Sequence, residues 1–423
     1  MRRLFVPLAC AALISSLAQA QPPVLPAHVA STPDAGPPQS PALTLDGAVQ
    51  AALRHNPQLR AATAEFDASG GAVRQAGLAP NPVLGLEQED TRAGTRTTTA
   101  QLSQTLELGG KRAARVALAE RAQDIAALDL LTRRSELRAL TVQAFFDALT
   151  AQERLKVAQE SLRIAGSGVD AAARRVTAGK VSPTEETRAR VAQSSARIEL
   201  RQAEAERSAA LRALVALMGA ADGSVQRLDG NLEQLPAVPS AADIAARLDD
   251  APSVRRARLQ VQQADAGYLL TRRQAVPDVT VGLGAKRAQE LGRTQAVITV
   301  SVPLPFFDRN QGAQLEALRK RDAAQANAEV EALRLRSEVL QRADWLQARK
   351  DEVEILRREV LPGAQSAYEA ARTGFELGKF SFLDALDAQR TWLQVRSQYF
   401  AAVAQVHRQA AEIERQLGAT DRP

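Results

Sequence analysis

Phe375-Glu376-Leu377-Gly378-Lys379-Phe380-Ser381-Phe382-Leu383-Asp384-Ala385-Leu386-Asp387-Ala388-Gln389-Arg390 sits between two long helix-forming runs, and its Gly-Lys turn leads into two carboxylates three residues apart. This pattern predicts the tip of a helical hairpin. The same phrase occurs earlier as Val176-Thr177-Ala178-Gly179-Lys180-Val181-Ser182-Pro183-Thr184-Glu185, with Gly179 and Gly378 standing 199 positions apart. Gly219 and Gly418, each closing the helix that follows a tip, repeat the 199 separation. Upstream the separation is 195, for Pro57 with Pro252 and for Pro82 with Pro277, so four extra residues fall between Pro277 and the second tip. A two-fold repeat this long sets the architecture before any local motif does.

Met1 to Ala20 carries Arg2 and Arg3, an apolar run to Leu17 and then Ala18-Gln19-Ala20, which reads as a cleaved secretory signal. Cys10, the single cysteine, falls inside it, and Pro7-Leu8-Ala9 makes a poor lipidation box, so the mature chain is expected to be exported without a disulfide or a lipid anchor. Residues 21–42 hold seven prolines and read as a disordered lead. The first repeat then spans 43–219, a Gly- and Pro-containing linker 220–240, the second repeat 241–419, and a tail 420–423.

Within each repeat a proline marks a change of period. Asn56-Pro57 reads as an N-cap with proline at the first helical position. From Pro82 the period becomes two: Leu84 and Leu86, then after a turn near Ala93-Gly94, Ala100, Leu102, Leu106 and Leu108. The second copy shows Val279, Val281, Leu283 and Ala285, then Ile298, Val300, Val302 and Leu304 after Gly292. Two β-hairpins follow, at about 82–108 and 277–305, each with one apolar and one polar face. Lys111 to Ala165 contains neither Gly nor Pro and would make a helix of roughly 80 Å. Ala313 to Leu361 is a second such run, and Pro183 to Met218 and Lys379 to Leu417 are the returning helices. Aromatic residues are only 4% of the chain, a composition suited to helix-on-helix packing rather than one thick core.

Several function classes are excluded. The formal charge of +6 falls to +4 without Arg2 and Arg3 and is interleaved with 48 acids, so no basic block marks a nucleic-acid interface. None of the Gly-Lys pairs at 110, 179 and 378 sits in a phosphate-binding loop. The three histidines, His28, His55 and His407, are far apart, with no metal-ligand spacing, and His55 reads as a helix-end residue. No catalytic constellation, cofactor or resident metal is expected, and the chain does not read as an enzyme.

Four amphipathic strands are too few to close a membrane barrel, which needs about eight. Their edges therefore pair with other chains, or the strands form two ribbons on a soluble helical body. The strands lack Trp and Tyr, and Phe306 and Phe307 are the candidates for an aromatic girdle, or for core. Asp384 and Asp387 share a helix face near its N-terminus, where the dipole favours acids, and the aligned residues of the first copy are Glu185 and Arg188.

The Leu45-Asp46 start, Asn56-Pro57-Gln58-Leu59, Pro82, Pro277 and the Gly378 to Ala388 tip, set in this duplication, resemble the TolC-type outer-membrane factors over essentially the whole mature chain. Ala76-Gly77 through Asn81-Pro82, Glu89-Asp90-Thr91-Arg92 and Leu106-Glu107-Leu108-Gly109-Gly110-Lys111-Arg112 are similar to the CzcC-like branch of heavy-metal (cobalt-zinc-cadmium) efflux channels. The resemblance implies a mainly α fold with a small β part: a homotrimer whose long helical hairpins form a periplasmic α-barrel beneath a twelve-stranded barrel in outer-membrane lipid. It implies a passive exit duct of a tripartite pump, working with a periplasmic adaptor (membrane fusion) protein and an inner-membrane transporter of resistance-nodulation-division type. It further implies that Asp384 and Asp387 ring the entrance and that the tips, Gly179, Lys180 and Ser182 with Gly378, Lys379 and Ser381, meet the adaptor. Phe375 and Phe380 stand at the entrance where the best-known member has an aromatic hydroxyl and an Arg, a departure from the family latch. The readings left beside a metal-efflux duct are the same fold exporting drugs or secreted protein, and a soluble periplasmic coiled-coil adaptor or scaffold.

Overall fold

The computed structural model describes residues 42–418 apart from 222 and 233, and gives no side-chain placement for Phe382. The signal 1–20, all but the last residue of the lead 21–42, and the tail 420–423 lie outside the described residues. Among those described, no helix is long and apolar enough to cross a membrane.

The first repeat consists of α1 (Leu45–His55), α2 (Pro57–Ala76), β1 (Val83–Glu89), β2 (Thr97–Leu106), α3 (Lys111–Thr177) and α4 (Pro183–Leu217). The second consists of α5 (Ala241–Leu248), α6 (Pro252–Gln274), β3 (Val279–Ala288), β4 (Arg293–Ser301), α7 (Gln311–Ile355), a π-turn (Leu356–Val360), α8 (Leu361–Glu376) and α9 (Phe382–Leu417). The hairpin strands, their turns and the returning helices fall where the periodicity put them. Two boundaries differ. α3 runs 67 residues, about 100 Å, straight through Gly166 and Gly168. Each interior glycine costs about 1 kcal/mol against alanine, and packing along α4 and α9 offsets that. The second long run likewise does not end at Leu361. Pro362 has no N–H and its ring collides with the carbonyl four residues back. The π-turn widens the helix just ahead of it, the Leu361 N–H bonding to the Leu356 carbonyl, and α8 continues to the tip.

The repeats are spliced end to end by their helix termini. α4 runs into α2 through Asn56, buried at 4% exposure. Its Nδ2 donates to the Leu217 carbonyl at 2.8 Å while its Oδ1 accepts from the Gln58 N–H at 2.8 Å, so one side chain satisfies the end of one helix and the start of the next. Gly219, at φ +64, lies so close that a Cβ there would stand 2.5 Å from the His55 carbonyl oxygen. α9 runs into α6 by other means: Arg247 donates to the Gly418 carbonyl at 2.6 Å and pairs with Glu414, and Ala251 stands where Asn56 stood.

Four helical columns thus lie side by side: α4 with α2, then α3, then α9 with α6, then α7 with α8. The strands form one antiparallel sheet in the order β1-β2-β3-β4, the same order as the columns they join. Sheet and helical layer therefore end on the same two flanks. The largest apolar core sits at the splices, where Phe145, Leu149, Leu214, Ile244, Leu346, Val403 and Ile413 are buried. The linker docks there instead of hanging free. Leu228 and Leu232 are buried in this core, and the Leu43 and Asp229 amides bond across the Leu43–Leu228 bridge.

Candidate channel wall and hairpin tips

Both tips close with the same atoms. At the first, Lys180 N–H donates to the Arg175 carbonyl at 2.9 Å and Gly179 N–H to Val176 at 2.9 Å. At the second, Lys379 N–H donates to Gly374 at 2.8 Å and Gly378 N–H to Phe375 at 3.0 Å. This is the helix-ending glycine turn that needs positive φ, here +66 at Gly179 and +73 at Gly378. A Cβ at either glycine would meet nothing within 4 Å, so the turns face open space. Ser182 and Ser381 then start the returning helices as N-caps.

Beyond the turn the tips diverge. Ser182 caps through the Thr184 N–H alone, whereas Ser381 and Asp384 form a reciprocal box. The Ser381 amide and hydroxyl donate to Asp384 Oδ2 at 3.0 and 2.7 Å, and together they hold its carboxyl below the usual carboxylate range. Asp387 lies exposed one turn on, and Lys180 and Lys379 are exposed at the turns. Phe375 is instead buried between the hairpins against Ala172 and Ala189, under the Arg175 guanidinium at 4.9 Å. Phe380 folds its ring onto Gly374, where any Cβ would collide with it. The sequence reading missed Leu377 and Leu383, which with Phe380 leave an apolar surface exposed at the second tip only. Their adjacency to the Gly-Lys turn was the available signal.

The sheet supplies the other half of the site. The register sets Leu84, Leu102, Leu283 and Ile298 in one row across all four strands, and Leu86, Ala100, Ala285 and Ala296 in the next. Leu86 and Ile298 are each 74% exposed. Each such side chain left in water forgoes about 1.5–3 kcal/mol, so this face is built for an apolar surrounding. The opposite face carries Gln101, Thr99, Thr97 and Lys286, with Gly85 and Gly284 beside Gln101 in the register. A Cβ at Gly284 would stand 2.5 Å from the Ala100 carbonyl oxygen, and at Gly282 it would overlap the Gln101 amide. Glycines crowded on the polar face mark it as the concave side of a curved sheet. Phe306 and Phe307, at 72% and 93% exposure, sit where β4 leaves the sheet, outside any core.

Among the described residues no group of His, Cys, Asp and Glu could hold a metal ion. His407 is buried alone, stacked on Phe146 with ring centroids 3.7 Å apart. Burial lowers its pKa to about 4.

An open antiparallel sheet, apolar outside and polar inside, standing on long paired helices is a channel-wall segment. The family model described as "Outer membrane efflux protein" matches residues 48–220 and 244–419, and the chain belongs to that family, one of outer-membrane channels rather than enzymes. The chain is 42% identical over 427 residues to the cobalt-zinc-cadmium resistance protein CzcC of Cupriavidus metallidurans, covering 99% of this chain and 100% of that protein. It is 27% identical over 303 residues to the nickel-cobalt-cadmium resistance protein NccC of Alcaligenes xylosoxydans xylosoxydans, covering 70% and 68%. Its fold matches the transmembrane channel CusC with a TM-score of 0.75 at 20% identity, over 89% of this chain and 92% of that one.

Proposed function

We propose that three copies of this chain close into a twelve-stranded barrel in the outer membrane above a twelve-column helical tube, forming the passive exit duct of a tripartite pump for divalent heavy-metal cations such as cobalt, zinc or cadmium. The observation that carries this reading is the shared order of strands and columns. The unpaired edges β1 and β4 stand over the unpaired columns α2 and α7, so one three-fold arrangement satisfies sheet and helices together. The cargo follows from likeness to the cobalt-zinc-cadmium and nickel-cobalt-cadmium resistance proteins. A wide duct needs no cation ligands of its own.

The tips are the side that meets a periplasmic adaptor, which in turn joins an inner-membrane transporter of resistance-nodulation-division type. Gly179, Lys180 and Ser182 with Gly378, Lys379 and Ser381 present the docking turns. Asp384 and Asp387 of three chains supply a ring of six carboxylates at the entrance, attractive to cations. Phe380 lies beside that ring, and Phe375 acts from behind it by fixing one hairpin against the other.

Loss of the chain from its host should raise sensitivity to cobalt, zinc and cadmium. The parent gene should restore tolerance, while Gly378→Trp should not, although its chains still reach the outer membrane as trimers. Full tolerance with Gly378→Trp, together with unchanged crosslinking to the adaptor, would remove the docking assignment.

A further inference from the structure

At the end of the sheet away from the helices, the apolar face changes character within one row, a step of about 6.6 Å. Past Leu86, Ala100, Ala285 and Ala296 comes the row Gln88, Thr98, Arg287 and Thr294. Thr98 and Thr294 are the cross-strand partners of Arg287 on either side. The ladder continues one residue further, the Gln289 N–H donating to the Arg96 carbonyl at 3.0 Å. Arg96 and Arg287 are therefore diagonal neighbours on the outward face, about 7–8 Å apart at the backbone and within joint reach of one anion.

Both arginines are exposed. Among the described residues neither forms an ion pair, whereas Lys286, on the concave face, is held by Glu89 at 3.1 Å. The nearby acid Asp90 is turned into its own loop, accepting from the Thr95 hydroxyl and the Arg92 amide. Two unpaired guanidinia flanked by hydroxyls, with the neighbouring Asp90 carboxyl already taken by Thr95 and Arg92, make an anion site. Planar guanidinium forks match phosphate oxygens in bidentate fashion.

The position selects the source of the phosphate. A free anion would be equally well served anywhere on the rim, but this site borders directly on the lipid-facing apolar rows. Its ligand must therefore carry an acyl chain beside the phosphate. We propose that Arg96 and Arg287, with Thr98 and Thr294, bind the phosphorylated headgroup of an outer-leaflet glycolipid, giving the closed barrel three such sites around its external rim. The site rests on the barrel reading above and goes beyond it, since a duct needs no lipid ligand.

The test is native mass spectrometry of the full-length, detergent-extracted trimer titrated with bisphosphorylated lipid A and with its dephosphorylated counterpart. The parent should retain the phosphorylated form at least about tenfold more tightly, and Arg96→Gln with Arg287→Gln should abolish that preference while leaving the trimer intact. Arg133→Gln, on the helical part, should leave it unchanged. Equal retention of both lipids by the parent, an undiminished preference in the double variant, or full displacement by millimolar inorganic phosphate would each overturn the proposal. The same spectra report the trimer separately: its absence would overturn the channel reading and the site together, whereas a trimer without lipid preference overturns the site alone.

Discussion

The hairpin tips and the splice level of the molecule end their helices with the same device and use it for opposite purposes. Gly179 at a tip and Gly219 at a splice have φ of +66 and +64, and each donates into the last turn of its helix in the same pattern. Around Gly179 there is open space, whereas around Gly219 the backbone of His55 and Asn56 closes in. A turn facing solvent presents the residues after it. A turn against another helix end locks two helices into one column. Local conformation is thus common to both, and surroundings decide the role.

The largest expected effect breaks that comparison directly. Gly219→Ala meets both the positive φ and the His55 carbonyl, for a destabilisation of about 3 kcal/mol. Gly179→Ala meets only the φ, for about 1 kcal/mol. Denaturant unfolding of both variants measures the gap, and equal losses would mean the splice is looser than described.

Acid should separate the two levels next. At the splice level His407 is buried and neutral, its pKa lowered from 6.5 to about 4. The unfolded chain gains a proton below pH 6.5 that the folded chain refuses until about pH 4, so stability falls as pH drops through that window. The slope is about 1.4 kcal/mol per pH unit, or about 2 kcal/mol between pH 6 and 4.5. The pocket beside it also holds Arg138, Glu414 and Arg415, so the readout is the difference between the parent and His407→Leu, whose profile should be flatter by about one proton. At the tip the sign is the same and the window is lower: the lowered Asp384 pKa means its contribution is present above 3.8 and is lost only as pH falls through the still lower folded value.

The capping difference between the tips is smaller. Ser381→Ala removes the hydroxyl's bonds to the Asp384 amide and carboxylate, leaving only the residue-381 amide on that carboxylate, and should cost about 1 kcal/mol, with Ser182→Ala, which loses a single cap bond, costing less. Last comes the pair Asp384→Ala with Asp387→Ala, whose readout is conduction rather than stability: in planar bilayers the double variant should lose cation preference and block by divalent cations, with Glu185→Ala as control. Unchanged selectivity would leave these acids as a solvated, helix-capping face.

Much of this was legible from residue spacing. The 199-residue repeat, the glycine turns, Asn56 as a cap and the alternating strands all depend on local chemistry that sequence displays directly. The course of α7 into α8 was not, because Pro362 signals a missing hydrogen bond without saying whether the helix stops or bulges around it. Gly166 and Gly168 interrupt the Gly-free run in the sequence in a similar way: their local cost is visible, and the packing that offsets it is not. Phe375 shows the limit at the site itself. The family resemblance puts it at the entrance, yet only the neighbouring hairpin, with Ala172, Ala189 and Arg175, reveals that it fastens the two tips together. Asn56 illustrates the converse, since its second bond, to Leu217 across 161 residues, has no local signature at all.

The central claim is that the flanks of one chain, β1 with α2 and β4 with α7, are completed by two further copies in the outer membrane. It is tested most directly by the mass of the particle that detergent extracts from outer membranes after a high-salt wash. The account predicts three chains per particle, retained in the membrane until detergent is added; a monomer recovered in the soluble fraction would contradict it.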